Sequence, residues 1–422
     1  MESKRRTFLK VASFAGAAGT NWVKNMGQTP VVNDHLSTPE WVFQVRSQIP
    51  ATRESAYFLT GGIGPSPSSV ITRVKELLDL QNRGPGDPRI VPQIAQVEED
   101  CRVLIAATFG AREEEVTLTH NTTEGLNIVI WSIDWRSGDE ILISNHEHPA
   151  LLMPAYNLHE RFGVVYRRAP LDIGEDVIGS VLDQLSPRTR LVAMSHVSRR
   201  NGRVLPAQEL AQELRKRNVR LLLDGAQAAG NIPLHFHELG CDYYSFCGHK
   251  WLLGPKGTGG LLIRKEILEK TSVSWTGAHS QESIEDDGQY EWYPNGRRFE
   301  FGTRALAVFG GFAEALRWFE DLGWDRIHRR TAELSRETAT WIQDSKLFQL
   351  VSPMTSESRS GVVTLRLPDG FLGMDFYERL AEKDGIVVAP LEHPRDIRVC
   401  VHFFNTWEEI EKLGIKLNEY CA

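Results

Sequence analysis

A lysine beside a histidine, on a short polar turn backed by glycines, is the feature of this sequence with the clearest chemical use. The turn reads SFCGHKWL over residues 245–252, so Lys250 follows His249 directly. A lysine in such a setting can lose its proton and form a Schiff base with an aldehyde. Asp224 ends the apolar run LLLD upstream of that turn. An acid for a pyridinium nitrogen and an amine for an aldehyde together indicate a pyridoxal phosphate site.

Both residues also have plainer interpretations. Most lysines are solvated on the surface, and Lys256 in the same loop is a rival for the reactive amine. Lys256 lies in a Gly-Pro-Lys-Gly turn that we expect to face solvent, which favours Lys250. An aspartate that ends a strand and precedes Gly-Ala-Gln often only caps the next turn, and that alternative stays open for Asp224.

A candidate phosphate cradle follows an early strand. Thr122 and Thr123 come after the predicted strand at 116–119 and open a predicted helix. Hydroxyls and free backbone N–H groups at a helix start suit a phosphate dianion. An ordinary N-cap made by Asn121 or Thr122 is the alternative.

A second candidate is His148, which comes just past the predicted strand at 140–144. The carboxyl end of a strand is where ligands of open α/β sheets bind, and a flat imidazole can cover one face of a pyridine ring. The alternative is a loop histidine that faces water, which is the default interpretation for the neighbouring His146.

In their order along the chain, these motifs resemble those of the class V aminotransferases. That group of fold type I pyridoxal phosphate enzymes includes cysteine desulfurases and isopenicillin N epimerase-like proteins. The resemblance runs from Tyr57 to Glu409, nearly the whole chain. It implies that Lys250 holds the cofactor aldehyde, that Asp224 pairs with the ring nitrogen and that Gln227 donates to the phenolic oxygen.

The resemblance also implies roles for residues around the cofactor. His148 would stack on the ring and exchange protons there. His249 would reach the phosphate, with Thr122 and Thr123. Thr303, in the segment FEFGTR, would reach across a dimer interface to the phosphate of the partner, which implies a homodimer with shared sites. An N-cap of the following helix is the alternative role for Thr303, and the two roles are compatible.

The end of the chain supplies a candidate for substrate binding. Arg398 lies in the predicted strand IRVCV, before an aromatic-Asn-Thr sequence that also matches the family. A guanidinium binds the α-carboxylate of an amino acid through two parallel hydrogen bonds. The alternative is an exposed strand arginine.

The cysteines depart from the pattern of the family in two places. Cys247 stands where the family usually has a serine that binds phosphate, and a thiol is a poorer donor. Cysteine desulfurases carry a nucleophilic cysteine on a loop before the carboxylate-binding arginine, whereas residues 383–397 contain none. Cys400 alternates with valines in a predicted strand, which favours a buried small residue. A persulfide-forming desulfurase is therefore disfavoured.

The elements that position these residues predict an α/β fold. Strand and helix signals alternate up to about residue 304, which predicts a largely parallel sheet covered by helices on both faces. The later part predicts a long helix over 305–344 with a break near Gly323, then a smaller α+β arrangement. The predicted divisions are a leader at 1–27, a wrapping segment at 28–56, a large cofactor-binding domain at 57–304 and a small C-terminal domain at 305–422.

Composition sets wider limits. The chain has 422 residues, a net charge of −7 and five scattered cysteines without a CxxC pair. The absence of a basic block after the first ten residues argues against nucleic acid as a partner. Cysteines in this number and spacing indicate free thiols and neither a disulfide framework nor a zinc site, so we expect no metal.

The N-terminus resembles an export signal. KRRTFLK over residues 4–10 matches a twin-arginine motif, and a mildly apolar stretch of small residues follows over 11–19. We expect export of the folded protein to the periplasm, and the alternative is a disordered basic tail on a cytoplasmic enzyme. Apart from this leader, the sequence offers no segment near the ~20 apolar residues that span a bilayer, so we expect no stable membrane insertion.

Taken together, the sequence predicts a pyridoxal phosphate enzyme that acts at Cα of an amino acid, of aminotransferase or epimerase type. The resemblance is strongest to the isopenicillin N epimerase branch. A C–S lyase that needs no cysteine, or a desulfurase-like enzyme of the same fold, is the alternative activity. A regulatory protein that keeps the cofactor but has lost turnover, and a structural protein without cofactor, are the alternatives from other classes.

Overall fold

The structure, a computed structural model, describes residues 37–422. In that part of the chain the helices are α1 Glu40–Ser47, α2 Ala51–Glu54, α3 Ser68–Arg83, α4 Val91–Phe109, α5 Thr122–Trp131, α6 Pro149–Phe162, α7 Val177–Leu182, α8 Ala207–Lys216, α9 Phe236–Leu239, α10 Lys265–Leu268, α11 Leu306–Leu322, α12 Trp324–Asp344, α13 Gly373–Arg379 and α14 Trp407–Cys421. The strands are β1 Ala56–Tyr57, β2 Val116–Thr119, β3 Glu140–Ser144, β4 Val165–Ala169, β5 Thr189–Ser195, β6 Arg220–Asp224, β7 Tyr243–Cys247, β8 Gly259–Ile263, β9 Gln281–Ile284, β10 Tyr290–Trp292, β11 Gln349–Leu350, β12 Val362–Arg366, β13 Ile386–Val387, β14 Ala389–Pro390 and β15 Asp396–Cys400.

A seven-stranded sheet forms the centre, in the order β2-β8-β7-β6-β5-β3-β4. The five strands from β7 to β4 pair in parallel, whereas β8 runs antiparallel to both β7 and β2. All strands except β8 therefore share one direction. This agrees with the predicted largely parallel sheet of an α/β fold.

Helices cover both faces of this sheet. In β6, Leu221 and Leu223 belong to one apolar cluster and Leu222 to the other, as the alternation of side chains along a strand requires. The first cluster includes residues of α4, α8 and α11, and the second includes residues of α5 and α6. Because both faces are buried, the strand reads as an unbroken apolar run in the sequence.

A smaller antiparallel sheet, in the order β11-β12-β15-β14, lies in the C-terminal part. Its apolar cluster takes in residues of α12, α13 and α14. The short strand β1 pairs in parallel with β13, and Ala56 and Phe58 join the same cluster. This is the smaller α+β arrangement that the sequence predicts.

The helix predicted over 305–344 is present as α11 and α12, with the break where it was expected. Gly323 separates the two helices with φ of +87°, a backbone conformation that favours glycine. Phe309 and Phe312 of α11 belong to the core of the large sheet. The chain therefore still contributes to the large core after residue 304, and the domain division predicted there stays a prediction.

The described part of the wrapping segment contains α1 and α2. Val45 and Ile49 are buried against Trp318, Phe403 and Phe404. These few buried side chains anchor the segment, although the sequence there shows no clear period.

The twin-arginine leader at 1–27 lies outside the described residues, so export to the periplasm stays a prediction. Among residues 37–422, the structure has no helix that is both long and apolar enough to cross a membrane.

Candidate active site

The carboxyl ends of three adjacent strands bring the main candidate residues together. Asp224, at the end of β6, pairs in register with Ser195 on β5 and with Ser245 on β7. Lys250 lies on the turn after β7, and its charge acts on both the Asp224 carboxyl and the His148 ring. The three residues that the sequence proposed for catalysis therefore surround one point at the edge of the sheet, where α/β proteins bind ligands.

The turn that carries Lys250 is closed by backbone hydrogen bonds. Gly254 N–H donates to the Gly248 carbonyl over 2.8 Å, and Leu253 N–H donates to the Lys250 carbonyl over 3.0 Å. Gly64 packs so closely that a Cβ there would lie 2.0 Å from the Lys250 carbonyl oxygen. A larger residue at 64 would displace this turn. Lys256, the rival lysine, is exposed on the far part of the loop.

Asp224 is buried, with 5% of its surface exposed. One carboxyl oxygen accepts a hydrogen bond from the Ala226 N–H over 2.9 Å, which is the turn cap that the plainer interpretation expected. Burial raises the pKa of the Asp224 carboxyl, and the Lys250 charge acts against that shift. The cap uses only Oδ1, so the residue can cap the turn and also face a cationic ring nitrogen.

His148 is positioned by the turn that follows β3. The buried Glu147 carboxylate accepts from the Ser195 N–H over 3.0 Å and from the Ser195 hydroxyl over 2.6 Å, and it also accepts from the Ser144 hydroxyl. These bonds tie the ends of β3 and β5 together. The next residue, His148, caps α6 by accepting from the Ala150 N–H at Nδ1 over 3.1 Å. Burial raises the pKa of Glu147 to about 7.

The His148 ring is neutral at physiological pH in this setting. Partial burial lowers its pKa to about 4, and the charges of Lys250, Arg199 and Arg398 act in the same direction. Because Nδ1 accepts a hydrogen bond, the proton of the neutral ring is on Nε2. His148 as a whole is exposed to solvent in the isolated chain. By contrast His146 is buried and bonded to Ser198 and Asp172, so its interpretation as a water-facing residue was wrong.

Unpartnered polar atoms mark the predicted phosphate end. The Thr122 hydroxyl and the His249 Nδ1 are buried without a hydrogen-bond partner among residues 37–422. Asn121 is the N-cap of α5 and accepts from the Glu124 N–H over 3.0 Å, so the N-cap alternative holds for Asn121. Thr123 is exposed at the second position of this ten-residue helix. Buried donors beside a helix N-terminus fit a phosphate group.

Cys247 and Gln227 line the interior of the site. Burial raises the pKa of the Cys247 thiol, which disfavours the thiolate. The Gln227 amide nitrogen donates to the Gly61 carbonyl over 2.7 Å, and its oxygen accepts from the Trp251 indole over 3.0 Å. One N–H of the Gln227 amide remains for another acceptor. Its predicted bond to the phenolic oxygen stays a prediction.

The remaining two candidates differ in their setting. Arg398 is 7% exposed on β15 and donates to the Arg199 carbonyl over 3.2 Å, so the exposed-strand alternative was wrong. Thr303 is exposed before α11, whose N-cap is Ala305 and not Thr303, so the N-cap alternative was wrong as well. Arg304 forms ion pairs with Glu98 and Glu300, which lie outside α11. The reach of Thr303 to a partner subunit stays a prediction.

Sequence reasoning missed the positive charge around Arg398. Arg199 and Arg200 lie on the loop after β5, and Glu392 lies on the loop before β15. Arg199 forms an ion pair with Glu392. Burial lowers the pKa of Arg199 to about 10, and the charges of Arg398 and Arg200 lower it further. Two adjacent arginines on the loop after a central strand were the signal that could have identified them, because such loops lie at the carboxyl edge where α/β proteins bind ligands.

The sheet topology and this site place the chain among fold type I pyridoxal phosphate enzymes. The family model for class-V aminotransferases matches residues 56–413, and the chain belongs to that family. The resemblance stated from the motifs is therefore confirmed. In the part of the chain described here, no cluster of three or more potential ligand side chains is arranged to hold a metal ion.

Relatives in this family have different activities. The chain is 31% identical to an isopenicillin N epimerase of Amycolatopsis lactamdurans over 373 residues, which cover 85% of this chain and 93% of the relative. It is 27% identical to a probable cysteine desulfurase of Methanothermobacter thermautotrophicus, covering 90% and 98% of the two chains. A solved structure of a C-DES mutant, with glycine linked to its pyridoxal phosphate cofactor, is 31% identical with a TM-score of 0.83, covering 88% and 98%. Another structure shows the cystine C–S lyase C-DES with its product cysteine persulfide, at 29% identity, the same TM-score and coverage of 88% and 99%.

The residues of this site fit pyridoxal phosphate, the cofactor of the family. The buried and unpartnered Thr122 hydroxyl and His249 Nδ1 suit the phosphate, while Asp224 suits the ring nitrogen. The Lys250 charge acts on Asp224, which suits the ring nitrogen, and on His249, which suits the phosphate. His148 is exposed and has a lowered pKa, so a neutral imidazole is available to stack on a flat heterocycle.

Proposed function

We propose that this protein is a pyridoxal phosphate-dependent enzyme that acts at Cα of an amino acid, with aminotransferase or epimerase chemistry. The observation that carries the proposal is the convergence of Lys250, Asp224 and His148 at the carboxyl edge of the sheet. Asp224 is buried and Lys250 lies beside it, so an acid for the ring nitrogen and an amine for the aldehyde of the cofactor are close together. The 31% identity to isopenicillin N epimerases supports the same class of reaction.

Bound through its aldehyde, the cofactor withdraws electrons from Cα and so makes the Cα proton acidic. The amine of the substrate would displace Lys250 from the aldehyde, and the freed Lys250 amine would then remove the Cα proton and could return it. Asp224 would keep a positive charge on the ring nitrogen, and Arg398 would hold the substrate carboxylate. His148 would cover one face of the ring. Where the proton returns decides between epimerisation and transamination.

A C–S lyase is the second candidate, and the similarity to C-DES favours it. Such an enzyme would break a bond at Cβ after the same proton removal, and it would use the same Lys250. The two candidates therefore differ in the fate of the substrate and not in the residues that bind the cofactor. Product identification separates them.

We further propose that the protein is a homodimer. Thr303 is exposed in the single chain, and in a dimer it would bind the cofactor phosphate in the site of the other subunit. Thr303 lies after Gly302, whose φ of +73° turns the chain outward before α11. Its hydroxyl is solvent-accessible in the isolated chain, as a residue that serves a partner requires.

Absorption spectroscopy of the purified holoenzyme tests the proposed function. We expect an absorption band from the bound cofactor, with the intensity that about one cofactor per chain predicts. A screen of the common L- and D-amino acids is expected to change this band for at least one amino acid. Product analysis of the responding amino acid then reports inversion, keto acid or sulfur release. A colourless protein would contradict the proposal, and a band that no amino acid perturbs would favour the regulatory alternative.

The five cysteines are expected to be dispensable for turnover. Cys101, Cys241, Cys247 and Cys400 are buried, and burial raises the pKa of Cys101 to about 12. A protonated buried thiol is a poor nucleophile, and Cys400 is confirmed as a strand residue. With all five cysteines changed to serine or alanine, turnover per bound cofactor should stay within about threefold of wild type.

The measurement is turnover on the responding amino acid, divided by cofactor content, so that a loss of folded protein does not count as a loss of chemistry. Restoring only Cys247 in the cysteine-free chain is the matched comparison, because Cys247 is the cysteine whose thiol feels the Lys250 charge in the site. A large loss of turnover with the cofactor still bound would show that a thiol takes part, and would revive the desulfurase interpretation.

A further inference from the structure

Three guanidinium groups lie together beside the candidate active site. Arg199 and Arg200 come from the loop after β5, and Arg398 comes from β15, where it donates to the Arg199 carbonyl over 3.2 Å. The Nε atoms of all three are buried and have no hydrogen-bond partner within residues 37–422. The charges of Arg199 and Arg398 both reach the His148 ring, so the group faces the place where the substrate reacts.

The acids near this group are either exposed or already hydrogen-bonded to other residues. Glu392 forms an ion pair with Arg199, and one of its oxygens lies 3.9 Å from the Arg200 Nε. Glu392 is half-exposed, at 49% of its side-chain surface, so water screens its charge. Glu147 also acts on Arg199, but its carboxylate is already bonded to Ser195 and to Ser144. Arg200 also acts on Asp172, whose carboxylate is bonded to Asn145 and to His146. Among residues 37–422, the carboxylate that pairs with Arg199 is therefore the solvated Glu392.

The loop that carries the two arginines is rigid. The Ser198 hydroxyl accepts from the N–H groups of Arg200 and Asn201 over 3.2 and 3.3 Å. The Arg200 carbonyl accepts from the Thr364 hydroxyl over 2.7 Å, which ties the loop to β12. Gly202, at φ +73°, packs so tightly that a Cβ would lie 2.1 Å from the Val362 carbonyl oxygen. A preorganised loop holds its guanidinium groups in place before a ligand arrives, which lowers the entropic cost of binding.

We propose that Arg199 forms a second anion subsite, distinct from the α-carboxylate site at Arg398, and that the substrate is an amino acid with a second acidic group on its side chain. The inference rests on the proposed function for the position of the α-carboxylate. One guanidinium satisfies one carboxylate in the bidentate manner, so a second buried guanidinium beside the first selects a second acid. A neutral side chain would leave Arg199 buried against an apolar group.

Glu392 occupies this subsite in the protein alone. Its carboxylate makes the ion pair with Arg199 that the side-chain acid of the substrate would make, and its exposure lets it turn toward water. Glu392 therefore competes with the substrate acid for Arg199. This competition predicts opposite effects of changing the two partners, which a purely structural ion pair does not predict.

The experiment measures binding to the holoenzyme in two ways. Calorimetry with adipate and with hexanoate compares a diacid with a monoacid of the same chain length, and neither carries an amino group that could react. The change of the cofactor band compares glutamate with glutamine and 2-aminoadipate with norleucine, each as L- and D-forms. Cofactor absorbance per chain is recorded for every variant, so that a variant that has lost the cofactor is recognised.

We expect the wild-type protein to bind adipate at least about tenfold more tightly than hexanoate. Arg199→Met should lower the affinity for adipate about 10- to 100-fold and leave the affinity for hexanoate nearly unchanged. Glu392→Gln is expected to strengthen adipate binding about threefold, because it removes the competing charge. Arg190→Met is the matched control. Arg190 lies at the other end of β5 and pairs with Asp139 on the surface, so binding should be unchanged.

Two results would overturn the inference. One is equal binding of diacids and monoacids by wild type. The other is a loss in both Arg199→Met and Glu392→Gln, or an equal loss for adipate and hexanoate in Arg199→Met, which would assign Arg199 to structure or to the α-carboxylate. A cofactor band that responds to no amino acid would contradict the proposed function alone, and the adipate measurement would still decide whether Arg199 selects a second acid.

Discussion

Changing Lys250 to alanine is expected to lower turnover at least about a thousandfold, because the variant lacks the amine that holds the cofactor aldehyde and moves the Cα proton. The covalent linkage should disappear as well. Borohydride reduction of wild type, followed by digestion and mass spectrometry, is expected to place the reduced cofactor on the peptide that contains Lys250. The same treatment of the variant should release all cofactor on denaturation.

Lys256→Ala is the control for this experiment. Lys256 is six residues further along the same loop but is exposed, whereas Lys250 lies beside the Asp224 carboxyl. The control should keep the cofactor linkage and the turnover of wild type. If the linkage survived in the Lys250 variant and were lost in the Lys256 variant, the assignment of the reactive amine would be wrong.

Asp224→Ala is expected to bind the cofactor but to lose about 10²- to 10³-fold in turnover, because a neutral pyridine withdraws electrons poorly from Cα. The carboxyl is buried, and it is the acid next to Lys250 at the end of β6. Turnover per bound cofactor is the measurement, since cofactor affinity changes as well. The absorption maximum of the bound cofactor gives a second readout of its ring protonation.

Asp224→Asn separates charge from shape. The amide oxygen can still accept from the Ala226 N–H, so the turn after β6 keeps its cap. The loss of turnover should be close to that of the alanine variant, because the charge is gone in both. Full activity in the asparagine variant would show that Asp224 only caps the turn, and would remove the electron-withdrawing role from the mechanism.

Local features of the sequence were sufficient to predict much of the fold. The apolar run before Asp224 is a central strand, because a strand buried on both faces shows no polar alternation. The break at Gly323 and the start of α14 are equally local. Thr406 caps α14 by accepting from the Glu409 N–H, and Glu409 in return accepts from the Thr406 N–H. Such signals lie within a few residues of the structure that they predict.

Pairings between distant segments could not be read in this way. The antiparallel strand β8 between β2 and β7, and the pairing of β1 with β13, depend on hydrogen bonds between segments far apart in the sequence. The N-cap alternative for Thr303 was wrong, and the surroundings of this segment could not be read from it alone. Arg304 forms an ion pair with Glu98, which lies far away in the sequence on α4.

The site divides along the same line. The sequence by itself determined that Asp224 ends an apolar strand and that Lys250 lies on a glycine-backed turn after another, because motif, strand and turn are contiguous there. Only the tertiary structure decided that Arg199, Glu392 and Arg398 meet beside them, since these residues come from separate loops and strands. Charge selection by a pocket arises from distances between such segments, and those distances are set by the packing of the whole fold.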